Sequence, residues 1–140
     1  MSTRSLIGYV HNSDKITYIY CHSDGYPSGV GATLARYYST IPRIKQLIAL
    51  GDISTLGPEI GQEHDFMAFD QHPTWVRAYH RDRHEDWNSV KPKTVSLSEY
   101  RSAGDEMGAA YMYIYNFGRW AWQKVNRGND SWHTDMKDDS

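Results

Sequence analysis

The sequence predicts an α+β domain: an antiparallel sheet with helices packed on one face, in the order ββαα-β-α-ββ. Three observations predict it. β-Branched and aromatic runs come in pairs at both ends, "SLIGYV" with "KITYIYC" and "AAYMYIYNF" with "GRWAWQKV". Two stretches with helical apolar spacing follow the first pair. No internal repeat or linker divides the 140 residues, a length that suits one domain. That domain is expected over residues 1–126. Residues 127–140 read as a polar tail, mobile unless Trp132 docks it.

The elements follow in order. "HNSD" supplies turn chemistry between residues 5–10 and 15–21, so these form a β-hairpin. Ile16, Tyr18 and Tyr20 share one face of the second strand, and Thr17, Ile19 and Cys21 the other. Val30, Leu34, Tyr37 and Tyr38 give a helix over 29–39, with Ser28 as its cap. A second helix runs from Ile41 to Leu50: Thr40 caps it, Pro42 suits its first turn and Gly51 ends it. Its buried stripe is Ile41, Ile44, Leu47 and Ile48. Residues 51–61 read as a loop anchored by Ile53 and Leu56. Residues 64–70 and 74–80 read as two strands, 81–93 as a charged turn, and 96–104 as a short helix. Residues 109–117 and 118–125 form a closing hairpin that turns near Asn116–Gly118.

Composition narrows the function classes. The net charge is −2, with five basic and seven acidic residues in 1–70 and ten of each in 71–140. Neither half carries the clustered Lys and Arg of a nucleic-acid footprint. The single cysteine, Cys21, excludes an internal disulfide, fits a reducing cytosol and reads as a small buried hydrophobe. "MSTRSLIGYV" has no signal-peptide core. The aromatic count is high for a chain of mean hydropathy −0.71: 11 Tyr, 5 Trp and 3 Phe. Such side chains serve wet binding surfaces as well as cores.

The densest candidate chemistry lies in "YCHSDGYPSGVG", residues 20–31. Gly29 and Gly31 flank Val30 at a helix start, where free N–H groups attract anions and glycine permits close approach. The competing reading is a tight strand-to-helix turn, made by Asp24-Gly25 and stiffened by Pro27. His22 and Asp24 would point the same way on an extended segment, as a base with its orienting carboxylate or as half of a metal site. Further donors stand in "YHRDRHED" and at His64 and His72, but none has a metal-ligand spacing. No metal and no cofactor is therefore expected. Arg81 and Arg83 suit anion contacts, or else a solvated loop paired to Asp82 and Glu85. Tyr111, Tyr113 and Tyr115 line one face of their strand, and Met112 and Ile114 line the other, which should meet the helices. The tyrosine row reads as a second packed layer, a dimer interface or a platform for planar bases, whose stacking contributes about 1–3 kcal/mol each. No nucleophile motif appears.

Four stretches together carry a resemblance: "MSTRS-IG", "YCHSDGYPSGVG-TL", "LIALGDIS-LG" and "AYHRDR-ED". The chain resembles a family of small bacteriophage and prophage proteins over about residues 1–90. Its relatives carry forms closer to "MSTRSRIG" and "YCHWDGYPEGVG", from which Leu6, Ser23 and Ser28 depart. With Ser23 in place of an aromatic, no stacking role carries over to that position. The resemblance implies a phage accessory protein in the host bacterial cytoplasm. Small non-structural phage proteins often oppose host defence, one group by sequestering nucleotide-derived immune signals.

Three functions compete. The favoured one is a binding protein that sequesters a nucleotide-derived molecule. Its expected ligand-binding residues are Tyr20, His22, Asp24, Tyr26, Gly29, Gly31, Tyr79, His80, Arg81, Arg83 and Tyr113. The second is an enzyme degrading such a nucleotide, with His22 or His80 as acid/base. The third is a protein–protein inhibitor using the Tyr111–Tyr115 face. A homo-oligomer, most simply a dimer, is expected because the aromatic strands offer more apolar area than one small core needs. No membrane or nucleic-acid polymer is expected as a partner.

Overall fold

The structure, a computed structural model, describes residues 2–12, 14–68, 70–116, 118–125 and 132–137. The domain boundary expected at residue 126, residues 127–131 and 138–140 of the tail, and Ser13, Phe69 and Phe117 lie outside them.

Strands β1 (Ser5–Asn12) and β2 (Lys15–Cys21) form the expected antiparallel hairpin, with Leu6 opposite Tyr20 and Ile7 opposite Ile19. A five-residue π-helical turn, Pro27–Gly31, leads into α1 (Ala32–Tyr37). Helix α2 (Ile41–Ile48) follows, with Pro42 in its first turn; Ile44, Leu47 and Ile48 are buried, whereas Ile41 is exposed. Gly51, with φ 78°, turns the chain into β3 (Ile53–Thr55). Then come β4 (Arg77–Ala78), α3 (Tyr79–Arg83), α4 (Trp87–Val90) and β5 (Lys93–Val95). Helix α5 (Leu97–Glu106) and the antiparallel pair β6 (Tyr111–Asn116) and β7 (Arg119–Lys124) complete the chain.

The α+β class and the broad element order are as the sequence predicts. The sheet itself is mixed, not wholly antiparallel. Its order is β4-β3-β2-β1-β6-β7, with β5 pairing β2 alongside β3. The pairs β1·β6 and β2·β3 are parallel. Helical connectors explain this. The π turn, α1 and α2 carry the chain back so that β3 runs alongside β2, and α5 does the same between β5 and β6. A tight turn allows only antiparallel pairing; a connection of a dozen or more residues allows parallel pairing.

Helices also cover both faces, not one. Ile7, Ile19, Cys21, Tyr113 and Tyr115 pack beneath Val30, Leu34, Tyr38, Ile44 and Leu47. Leu6, Ile16, Tyr18, Met112 and Ile114 pack on the other side against Tyr100 and Ala103 of α5. Alternation along the strands supplies an apolar set to each face.

The central expectations at 64–70 and 74–80 are corrected. No strand forms among the described residues of 64–70. There Asp65 Oδ1 accepts from Met67 N–H at 3.0 Å and Ala68 N–H donates to the Asp65 carbonyl, which closes a turn. Only Arg77 and Ala78 of the second stretch join the sheet, because the chain then coils into α3. In the tail, residues 132–137 run beside β7: Trp122 and His133 exchange two backbone bonds of 2.8 Å, and Trp132 packs on the α5 side. Among the described residues, no helix is long and apolar enough to cross a membrane.

Candidate functional site

The eleven residues expected at one site separate into four places. The opening loop is the first. Asp24 sits at φ 57°, so the extended alternation that would align it with His22 breaks there. Its carbonyl accepts from Val30 N–H at 2.8 Å, and its carboxylate accepts the Tyr26 hydroxyl at 3.3 Å. Gly29 closes this knot, since a Cβ on it would stand 2.5 Å from the Asp24 carbonyl and 2.9 Å from the Tyr26 ring. Asp24, Tyr26 and Gly29 thus hold one another and present an exposed carboxylate.

Gly31 and Tyr113 lie in the core, which corrects both assignments. A Cβ on Gly31 would meet Tyr113 Cε1 at 3.0 Å and Met136 Sδ at 2.9 Å. Its cost to the helix therefore serves close packing of the turn on β6, not the approach of a ligand. Tyr113 is fully buried, and its hydroxyl donates to the Gly25 carbonyl at 2.7 Å. Tyr115 donates to the Ser39 carbonyl in the same way. The tyrosine row is thus the second packed layer, among the three readings its spacing allowed. With Trp120 and Trp122 also buried, these strands supply none of the surplus apolar surface on which the dimer was expected.

Arg81 is corrected as well. Its guanidinium donates to both oxygens of Asp82 (2.9 and 3.0 Å) and to the carbonyls of Ile60 and Val76 (2.8 and 2.7 Å). Asp82, buried, also accepts from the N–H groups of Ala78 and His64. This pair ties α3 to the 60–64 loop and takes up four of the five N–H donors of the guanidinium. His80 turns to the Glu85 carbonyl (2.8 Å) and lies 5.0 Å from Trp87.

Tyr20, His22, Tyr79 and Arg83 do come together, on the sheet face that carries Tyr20, where β2 and β3 meet the start of α3. His22 N–H donates to the Ile53 carbonyl and Ser23 N–H to that of Ser54, which sets the end of β2 beside β3. Tyr79 N–H donates to the Asp52 carbonyl, which brings α3 to the same edge. The Tyr20 hydroxyl and His22 Nδ1 share a hydrogen bond of 3.0 Å. Ser54 sits beside the Tyr79 hydroxyl. Burial pushes both tyrosine hydroxyls above their ordinary pKa. Arg83 sits over two rings, its Cζ 4.7 Å from the Phe66 centroid and 4.9 Å from that of Tyr79, and its Nε donates to Glu85 at 3.0 Å. Such ring contacts limit the orientations open to a guanidinium, and the Arg83 side chain remains 47% exposed.

The sequence reading missed three members of this shelf. Phe66 is its aromatic base, in a segment read as a strand. Ser54 belongs to a strand too short to show a period. Arg4, exposed, flanks Tyr20 closely enough to act on its hydroxyl, and its Nη1 lies 3.2 Å from the Cβ position of Gly108.

Cys21 is inert: burial pushes its thiol up to about 12. Among the described residues, no group of three or more His, Cys, Asp or Glu is placed to hold a metal ion. Open cavities among the described residues lie elsewhere. One of about 350 Å³ is lined by Ser39, Arg119 and Trp120, and one of about 320 Å³ by Tyr18, Glu99 and Glu106. Comparison with protein-family models, with curated proteins and with solved structures gives no match.

Proposed function

We propose that this chain is a binding protein that captures a nucleotide-derived anion on the shelf formed by Tyr20, His22, Tyr79 and Arg83. One observation carries the reading: Arg83, half-exposed, is mounted on Phe66 and Tyr79 beside the Tyr20 and Tyr79 hydroxyls. Arginine held in this way suits phosphate. Hydroxyls and an imidazole suit the polar edges of a sugar or base. The resemblance to small phage proteins supplies the context, a counter-defence role in the host cytoplasm in which the ligand is withheld from a host immune receptor.

A catalytic reading is favoured by one observation, the hydrogen bond that orients His22 through Tyr20. A single experiment separates the two. The purified chain is incubated with cyclic dinucleotides and ADP-ribose derivatives, then denatured, and the released molecules are identified. Intact ligand is expected. Altered ligand, lost in His22→Ala, makes the protein an enzyme. Nothing retained or altered ends both readings in favour of a protein-binding inhibitor. The homo-oligomer is a separate proposal, which sedimentation at tens of micromolar decides: a dimer supports it and a lone monomer ends it.

A further inference from the structure

We infer that the shelf recognises a ligand with two separate anionic groups, one held by Arg4 and the other by Arg83; this rests on the binding reading above. The two arginines stand at opposite ends of one row. The pairing of Ser5 with Cys21 sets Arg4 across from His22. Cys21 pairs with Ile53, so Ser54 continues the row beside His22; Ile53 pairs with Ala78, and Tyr79, which opens α3 opposite Asp52, brings its hydroxyl back beside Ser54. From β1 to β4 there are three strand spacings, about 14 Å at the backbone. The side chains do not converge across that span. Arg4 lies against the Gly108 turn that follows α5. Arg83 lies on Phe66 and Tyr79 at the other end. One phosphate engages one guanidinium fork. Two forks held apart call for two anions.

The middle of the row is neutral. It offers the Tyr20 hydroxyl, His22 and the Tyr79 hydroxyl, the last held by buried Ser54, which match a sugar or base edge between two phosphates. The carboxylates nearby leave both forks available. Glu85 takes only Nε of Arg83, and Asp52 is buried beneath the strand with Tyr20 N–H on its Oδ1. Arg77, on the same face, donates instead to the Phe66 carbonyl and Thr55. The ligand class is thus a dinucleotide or a nucleoside bisphosphate, not a nucleoside monophosphate.

Calorimetric titration of the full chain tests this with adenosine monophosphate, adenosine 3′,5′-bisphosphate and cyclic diadenylate. Wild type, Arg4→Gln and Arg83→Gln are compared; both residues are exposed, and unchanged unfolding temperatures verify that the variants fold. At least one two-anion probe is expected to bind about tenfold or more tightly than the monophosphate, and each variant to weaken it about tenfold or more. The monophosphate should respond to only one of the two substitutions. If it binds as tightly as both two-anion probes, or if both substitutions weaken it equally, the inference falls and the binding reading stands. If no nucleotide binds, both fall.

Discussion

Asp52 shows how single side chains on the shelf are held. It is buried, and its Oδ1 accepts from Tyr20 N–H at 2.9 Å. Burial raises its carboxyl above the ordinary value, against the opposing pull of that hydrogen bond and of Lys93. The folded chain therefore holds this proton more tightly than the unfolded chain does. The stability it contributes is complete below the unfolded value of about 3.9 and is lost as pH rises through the higher folded value. Asp52→Asn keeps an oxygen for Tyr20 N–H and removes the buried charge. The variant is expected to be more stable than wild type at pH 7, with the difference vanishing below about pH 4. Urea unfolding at the two pH values measures this; a variant less stable at pH 7 refutes it. At this scale the sequence was partly legible. Cys21, as a buried thiol, followed from its place in an apolar strand. The residue types of His22, Tyr79 and Arg83 suit anions and polar edges, and the fold sets them near one another. Arg81 could not be told from Arg83, because both sit in "RDR" and only the fold gives one of them Asp82, Ile60 and Val76.

Among the elements, α5 has the most complete local instruction. Ser96 Oγ accepts from Glu99 N–H at 3.3 Å, and Glu99 returns the bond to Ser96 N–H at 3.0 Å. These bonds also hold the Glu99 carboxyl below its ordinary pKa. This reciprocal cap satisfies two donors that the first turn leaves open. Ser96→Ala is expected to cost about 0.5–2 kcal/mol, read as a lower urea midpoint with an unchanged slope. An unchanged midpoint would show that the cap adds nothing to the packing of Tyr100. The hairpins, α2 and α5 were legible because they are long enough to show a period or a cap. Strands β3 and β5 have three residues each, too few to alternate visibly. Helix α3, "YHRDR", has no apolar stripe at all. It forms because Asp82 reaches back to Ala78 N–H and clamps Arg81, contacts that local spacing does not encode.

At the scale of the molecule, the central strands serve two cores at once. Leu6 of β1 belongs to the α5 side and Ile7 to the α1–α2 side, and β2 and β6 alternate in the same way. The aromatic surplus that read as a surface is divided between these layers, with Tyr113 and Trp120 buried on one side and Tyr100 on the other. The shelf lies where β2 and β3 run parallel into the start of α3, so its position follows from the mixed topology, which no residue pattern announced. A consequence for stability follows. Neither layer can lose its sheet face without exposing the other, because the same backbones carry both. Leu6→Ala and Ile7→Ala should each cost about 2–5 kcal/mol, since both side chains are fully buried. Each should lower one shared transition, not one of two. Tyrosine and tryptophan near-UV signals report both layers, and far-UV ellipticity reports the backbone. The expected outcome is that the curves coincide in wild type and move together in both variants. If Leu6→Ala melts the α5 layer while the tryptophans of β7 keep their native signal, the two cores are separate cooperative units and the shared-strand account fails.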